Sequence, residues 1–181
     1  NQLTVNLLKV YGAELVLVDK PDGKGGYLNS RLRKVQELLE TIPGSFWPNQ
    51  YANPACPAAH RQTWSEIIEA LGHAPDYLFV PTSTCGTLMG LADEILRRGD
   101  RTKVVAVDAK GSVVFGDEPS QRRIPGMGSS RKSDFLDPAA VHRAVQVSDH
   151  EAVEGCRLLL DREGILAGGS SGAVVRAVAK M

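Results

Sequence analysis

Apolar side chains recur at helical spacing through much of the first 71 residues. Leu3, Leu7 and Val10 predict a helix over residues 1–11, and a similar pattern predicts a second helix over residues 27–40. The apolar run 13–18 between them predicts a strand, followed by a turn at residues 21–26. A third helix is expected over residues 58–71, after a proline-rich stretch that should not continue a helix.

The second half of the chain carries continuous apolar runs that are typical of buried strands. Residues 77–80 and 103–108 are two such runs, and residues 88–98 between them predict a helix. Further on, helix starts are expected after Asp137-Pro138, at a capping box over residues 148–151, and at Ser170 or Ser171 after a strand end at residues 165–167. This alternation predicts an α/β fold with a wound parallel sheet.

Composition sets limits on the organisation and on the partners. With 181 residues, 43% of them hydrophobic, the chain can bury one core and part of a second. The Pro43-Gly44 break and the prolines that follow predict two lobes, residues 1–44 and residues 45–181. The formal net charge is zero and no apolar run approaches the roughly 20 residues of a membrane span, so neither nucleic acid nor a membrane is expected as a partner.

The cysteines favour a reducing compartment. Cys56, Cys85 and Cys156 are odd in number and form no CxxC pair, which predicts a cytoplasmic protein without a disulfide framework. Cys56 and His60 could share a metal ion, but two ligands do not make a site, so no metal is expected.

The strongest chemical signal is a loop between the predicted strand 77–80 and the helix after it. Ser83, Thr84, Cys85, Gly86 and Thr87 are small residues that open directly into a helix, whose first N–H groups and positive dipole end favour a phosphate. The loop lacks both the GxxxxGK[ST] and the GxGxxG pattern, so a single phosphate monoester fits better than a nucleotide. The alternative is an ordinary Ser/Thr helix cap.

A second signal lies near the end of the chain, in the GGSSG sequence of residues 168–172. Adjacent glycines allow the backbone to approach a ligand, and a serine can begin the next helix. Alone, this pattern is more often a capped helix start than a site. Both loops follow predicted strands, as ligand loops at the carboxyl edge of a parallel sheet do.

Taken together, five segments resemble the cysteine synthase type of pyridoxal-phosphate (PLP) enzymes, known as fold type II. They occur in the family's order: LLKVYGAELVLVD, NQYANP with His60 after it, STCGT, PGMGSS and EGILAGGSSGA. The segments TSTCGTLMG, VAVDAKGSVVFG and RRIPGMGSSRK are most similar to the branch that makes N-(2-amino-2-carboxyethyl)-L-glutamate, a precursor of 2,3-diaminopropionate in siderophores. Ordinary cysteine synthases have a more glycine-rich phosphate loop.

The resemblance implies a role for particular residues. It assigns the 83–87 loop (Ser83, Thr84, Cys85, Gly86 and Thr87) to the cofactor phosphate and Ser170 to the pyridine nitrogen. It also places Gln50, Gly126, Met127, Gly128, Ser129 and Arg131 at the substrate. Gln50 could equally be a hydrogen-bonding residue between the lobes, and Arg131, with Arg122, Arg123 and Lys132, could be part of a solvated basic rim.

One element of the family pattern is missing. The family holds its cofactor as a Schiff base on a lysine in the N-terminal part, and no lysine here lies in such a context; the lysines are Lys9, Lys20, Lys24, Lys34, Lys103, Lys110, Lys132 and Lys180. No catalytic residue is therefore assigned in this chain. We expect that the chain is a C-terminal fragment or that a disordered first part has been left out, and that residues 1–181 alone are inactive.

The resemblance implies a PLP-dependent transferase of amino-acid metabolism that works by β-replacement, as a cytoplasmic homodimer with small amino-acid substrates. The expected reaction joins O-phospho-L-serine to L-glutamate. One alternative is cysteine synthase, which uses O-acetylserine or O-phosphoserine with sulfide. An alternative of another class is a truncated, non-catalytic binding module.

Overall fold

The computed structural model describes residues 2–21, 27–116 and 118–181. They divide into two compact units, Asn1–Trp47 and Pro48–Met181. The helices are α1 (Gln2–Val10), α2 (Leu28–Thr41), α3 (Ala55–Leu71), α4 (Gly86–Arg98), α5 (Asp149–Glu163) and α6 (Gly169–Ala179). The strands are β1 (Tyr77–Pro81), β2 (Lys103–Ala109) and β3 (Arg143–Val147), with a short 3-10 helix at Pro138–Ala140.

The first unit contains two of the predicted helices. Both α1 and α2 begin and end within about one residue of their predicted bounds, and α1 ends at Val10, two residues before Gly12, whose φ of +78° suits a glycine. The strand predicted for residues 13–18 is wrong, because the structure gives this segment no strand pairing. A strand exists only where its N–H and C=O groups pair with a neighbour, so an apolar run alone does not make one. Residues 22–26 of the predicted turn lie outside the described residues.

The second unit is built on a parallel sheet in the order β1-β2-β3. Tyr77 of β1 lies opposite Lys103 of β2, and Val105 of β2 lies opposite Arg143 of β3. Helix α4 connects β1 to β2, which is the crossover that parallel pairing requires. The predicted α/β class with a parallel sheet is confirmed.

Successive residues of β2 point into two separate cores, as alternation along a strand requires. Val104 and Ala106 join a cluster that contains Trp64 of α3 and Leu88 of α4. On the other face, Val105, Val107 and Ala109 pack with apolar residues of β3, α5 and α6, namely Val145, Val147, Ala152, Ala173 and Ala177. The sheet is therefore covered by helices on both faces, as the wound α/β prediction expected.

The structure of this unit differs from the predictions in three places. Helix α3 begins at Ala55 rather than at residue 58, because Pro57 occupies its first turn, where a missing N–H costs no helical hydrogen bond. The strand β3 had not been predicted. The strand end predicted at residues 165–167 is wrong: these residues form no strand, and Leu166 is 88% exposed.

Within the described residues, no helix is both long and apolar enough to cross a bilayer.

Candidate cofactor-binding site

The 83–87 loop lies where β1 ends and α4 begins. Cys85 immediately precedes α4 and has a φ of +64°, a left-handed conformation that costs a non-glycine residue roughly 1–2 kcal/mol. The side chain of Cys85 makes no capping hydrogen bond at the start of α4. The first N–H groups of the helix have no acceptor within the helix, so they are available to an anion together with the positive end of the dipole.

A cavity of about 310 Å³ lies in front of this uncapped helix start. It is lined by all five residues of the 83–87 loop, with Pro81 and Leu88 beside them. Gln50 and Gly126, two of the predicted substrate residues, also line it. The structure thus brings together the predicted phosphate loop and two more distant predicted residues, in a volume at the lower end of the roughly 300–1,000 Å³ of ligand pockets.

Hydrogen bonds to the sheet fix the start of the 83–87 loop. Both the backbone N–H and the hydroxyl of Thr82 donate to the carbonyl of Val107 in β2, each at 2.8 Å. Thr82 is 1% exposed, so these bonds are shielded from water. They fix the direction in which the chain leaves β1, and hence the position of the loop.

The glycine-rich loop, residues 121–132, holds the 83–87 loop from one side. The N–H of Gly128 donates to the carbonyl of Thr82 at 2.7 Å, and the hydroxyl of Ser83 donates to the carbonyl of Gly128 at 3.1 Å. Just beyond it, the hydroxyl of Ser133 donates to the carbonyl of Thr84 at 2.7 Å. The predicted border of the site is therefore hydrogen-bonded directly to the 83–87 loop.

Helix α3 supports the other side of the loop through a close contact with α4. A Cβ built on Gly90 would lie 2.1 Å from the carbonyl oxygen of Pro57 and 2.8 Å from the Cβ of His60. One turn earlier, the Oγ1 of Thr87 lies 3.0 Å from the Nε2 of His60. The sequence had marked His60 only as part of a family segment and as a weak metal ligand, and gave no sign of this contact.

Residues 1–181 match the protein family described as "Pyridoxal-phosphate dependent enzyme". The chain belongs to this family of PLP-dependent enzymes. The cofactor expected from the sequence is thus the cofactor of the chain's own family.

Similar solved structures include cysteine synthase-like enzymes. The O-acetylserine-dependent cystathionine beta-synthase from Helicobacter pylori is 30% identical with a TM-score of 0.84, over 97% of this chain and 56% of that chain. The O-acetylserine sulfhydrylase isoform 3 from Entamoeba histolytica is 29% identical with a TM-score of 0.83, over 97% and 52%. O-ureido-L-serine synthase is 29% identical with a TM-score of 0.84, over 97% and 55%. The chain spans about half the length of these proteins.

The remaining predicted residues of the PLP site have different surroundings. Ser170 is half-buried in the first turn of α6, a helix that begins at Gly169 after an uncapped Gly168; it is not among the residues that line the cavity. Met127 is 5% exposed and packs in the core on the α5–α6 side of the sheet. Ser129 bridges two segments, since its N–H donates to the hydroxyl of Ser112 at 3.0 Å and its carbonyl accepts from Val113.

Two of the four basic residues near the site are bound within the protein itself. Arg131 Nη2 lies 2.5 Å from Asp134 Oδ2, and its guanidinium lies 5.9 Å from the ring centre of Tyr51. Arg122 donates to the carbonyl of Ser129 at 2.7 Å. Lys132 is exposed. Arg122 and Arg131 therefore stabilise the structure around this loop.

The thiol of Cys85 is a neutral component of the loop. Burial raises its pKa, a hydrogen bond with Ser133 opposes that shift, and the carboxylate of Asp108 adds to it. Asp108 is fully buried and accepts a hydrogen bond from the N–H of Ala109 at 2.8 Å. A neutral thiol does not repel a phosphate dianion, so Cys85 is compatible with the role that the resemblance assigned to it.

Among the described residues, no group of three or more His, Cys, Asp or Glu side chains is arranged to hold a metal ion. His60, considered with Cys56 as a metal ligand, is instead hydrogen-bonded to Thr87.

Proposed function

We propose that the 83–87 loop binds the phosphate of PLP in a β-replacement synthase. The uncapped start of α4 facing a cavity carries this proposal, because it offers N–H donors to an anion without a charged side chain. The loop fits the group: Ser83, Thr84 and Thr87 add small hydroxyls, and Gly86 lines the cavity without a side chain. A phosphate monoester carries about −1.5 to −2 charges near neutral pH, which such donors can hold.

When bound, PLP supplies the electron sink for chemistry at the α- and β-carbons of an amino acid. In this proposal the chain's own residues bind and orient it. The 83–87 loop holds the phosphate, and the hydroxyl of Ser170 meets the ring nitrogen. A hydroxyl there does not impose a proton on the ring as a carboxylate would, which suits β-elimination followed by addition of a nucleophile. Gln50 and the rim at Gly126 would contact the amino-acid substrate.

For the reaction, we propose that O-phospho-L-serine and L-glutamate are joined to N-(2-amino-2-carboxyethyl)-L-glutamate with release of phosphate. Both substrates carry additional negative charge, so their site needs cations beyond those that neutral donors provide. Arg123 and Lys132 are exposed residues of the glycine-rich loop and are the candidates for this role. Arg131 could contribute by exchanging Asp134 for the substrate anion.

Cysteine synthase activity is the second candidate. Its support is the nature of the similar solved structures, one of which is an O-acetylserine sulfhydrylase and another an O-acetylserine-dependent cystathionine beta-synthase. The third candidate is a truncated, non-catalytic binding module.

A competition assay distinguishes these candidates. The full-length protein is supplied with PLP, both donors (O-phospho-L-serine and O-acetylserine) and both nucleophiles (L-glutamate and sulfide), and the products are identified by mass. We expect N-(2-amino-2-carboxyethyl)-L-glutamate as the main product. Cysteine as the main product would establish the second candidate, and a protein that binds PLP without any product would support the third.

A separate experiment tests whether Thr87 contacts the phosphate of the cofactor. Thr87→Val removes one hydroxyl donor at nearly constant volume, and a hydrogen bond to a charged group contributes about 1.5–3 kcal/mol, so affinity for a phosphorylated cofactor should fall about 10- to 150-fold. Affinity for the same compound without its phosphate should not change. Equal loss for both compounds would mean that Thr87 does not contact the phosphate.

A further inference from the structure

Behind the wall of the cavity, a histidine is hydrogen-bonded to one of the lining residues. Thr87 lines the cavity, and its Oγ1 lies 3.0 Å from the Nε2 of His60. His60 is half-buried on α3 and does not itself line the cavity. The hydrogen bond to Thr87 therefore gives His60 a route by which to act on a ligand there.

The position of His60 is fixed by the contact between the two helices. Gly90, one turn after Thr87, touches the backbone of Pro57 and the Cβ of His60 so closely that a side chain there would overlap with them. One residue before Thr87, a Cβ on Gly86 would meet the Cβ of Cys56 at 3.5 Å, an ordinary contact distance. Thr87 thus lies between two positions at which α3 and α4 approach each other closely, and the Cβ of His60 is held against α4.

The direction of this hydrogen bond decides what Thr87 offers to the cavity. A threonine hydroxyl has a single proton. If that proton is donated to Nε2 of His60, only lone pairs remain to face an anion, and they repel it. If Nε2 carries a hydrogen and donates to Oγ1, the hydroxyl proton is free to be donated to a phosphate oxygen.

We propose that His60 is a positioning residue that donates from Nε2 to Thr87 and so directs the hydroxyl proton of Thr87 at the phosphate ester of the cofactor. The inference rests on the proposed function, since it concerns the same phosphate site. It assigns a role to a side chain that is 27 residues from Thr87 in sequence. That side chain is on α3, which contributes no residue to the cavity lining.

The test uses the full-length apoprotein and 4′-deoxypyridoxine 5′-phosphate, which cannot bond covalently to a lysine. Calorimetry gives its dissociation constant and that of 4′-deoxypyridoxine, which lacks the phosphate. His60→Leu should weaken binding of the phosphorylated probe about 2- to 12-fold, the equivalent of one neutral hydrogen bond. It should leave the dissociation constant of 4′-deoxypyridoxine unchanged. His60→Gln, whose amide can donate near the position of Nε2, should bind within about twofold of the wild type. His73→Leu is the matched control, because His73 is exposed and its Nδ1 lies 3.2 Å from the carbonyl oxygen of the adjacent Ala74.

A double-mutant cycle with Thr87→Val separates positioning from a general loss of packing. If His60 acts through the hydroxyl of Thr87, His60→Leu should cost nothing further once that hydroxyl is gone. The ³¹P resonance of the bound probe should also shift in the same direction in the two single variants. Should His60→Leu fail to fold, His60→Asn, whose shorter amide cannot reach Thr87, replaces it.

Additive losses in the cycle, or equal weakening by His60→Gln and His60→Leu, would overturn the positioning role. A wild-type protein that binds the two probes equally would instead overturn the phosphate site, and with it the proposed function. A wild type that prefers the phosphorylated probe, combined with no effect of His60→Leu, would reject this inference alone.

Discussion

Gly90 should be the residue of α4 that is least tolerant of a side chain. A Cβ at this position would lie 2.1 Å from the carbonyl oxygen of Pro57, whereas a carbon–oxygen contact needs about 3.3 Å. The shortfall of about 1.2 Å is against backbone on a neighbouring helix, so no rotation of a side chain can relieve it. Gly90→Ala must therefore move α3 away from α4.

The size of the effect follows from two opposing terms. Overpacking a well-packed contact costs about 1–3 kcal/mol, and a clash with backbone belongs at the upper end of that range. Alanine in place of glycine recovers about 1 kcal/mol of helix propensity. The net loss is about 2 kcal/mol, which for a domain of this size lowers the melting temperature by about 4–8 °C.

Gly86→Ala is the matched control, because it lies on the same face of the same helix and its Cβ would meet Cys56 at an ordinary 3.5 Å. Its stability should stay within about 0.5 kcal/mol of the wild type. Urea unfolding followed by circular dichroism measures both variants. If Gly90→Ala is as stable as Gly86→Ala, the close contact between the helices is not present in solution, and the proposed position of His60 loses its basis.

Three further predictions concern other parts of the second unit. Gly172→Ala should lower the free energy of unfolding by about 2 kcal/mol in the same assay, because its Cβ would lie 2.1 Å from the carbonyl oxygen of Ala152 on α5; unchanged stability would contradict the packing of α6 on α5. The ammonium of Lys180, with the N–H of Ser148, lowers the pKa of Glu151 to about 2, so the stabilisation is complete above the ordinary carboxyl pKa and is lost as the pH falls toward 2. Glu151→Gln should thus cost about 1–2 kcal/mol at pH 7 and little at pH 2, and an equal cost at both values would be evidence against the ion pair. Because burial raises the pKa of Cys85, iodoacetamide should alkylate it much more slowly in the folded than in the unfolded protein, as mass spectrometry can measure.

The elements that could be predicted are those whose signals are local. The capping box at Ser148 is present with both of its bonds: the N–H of Ser148 donates to Glu151 at 2.8 Å, and its hydroxyl accepts from the N–H of Glu151 at 3.3 Å. The apolar run of β1 and the small residues that open α4 also predicted their structures, because each depends on neighbours in sequence. The 83–87 loop was found for the same reason.

What could not be predicted depends on partners distant in sequence. Residues 13–18 and 165–167 carry apolar runs like those of β1, yet the structure pairs neither with another strand. Strand β3 has the sequence RAVQV, in which a charged and a polar residue interrupt the apolar ones. No continuous apolar run therefore marked it as a strand that pairs with β2. The contact between His60 and Thr87 joins two helices across 27 residues and depends on Gly90, which from sequence alone is only a weak point in a helix.

In the proposed function, the 83–87 loop binds the cofactor phosphate and other groups select the substrate. The 83–87 loop is held by backbone and hydroxyl bonds to β2, to the glycine-rich loop and to α3, and it contains no charged side chain. Two cations of the glycine-rich loop, Arg122 and Arg131, are already bound to the carbonyl of Ser129 and to Asp134. If neutral donors hold the cofactor, which every substrate pair shares, substrate choice comes from the cations of the glycine-rich loop: the exposed Arg123 and Lys132, or a group whose present partner a ligand can displace. The pair of Arg131 and Asp134 meets that condition, because it lies partly in solvent, where an ion pair contributes little and a doubly charged ligand can compete for the guanidinium.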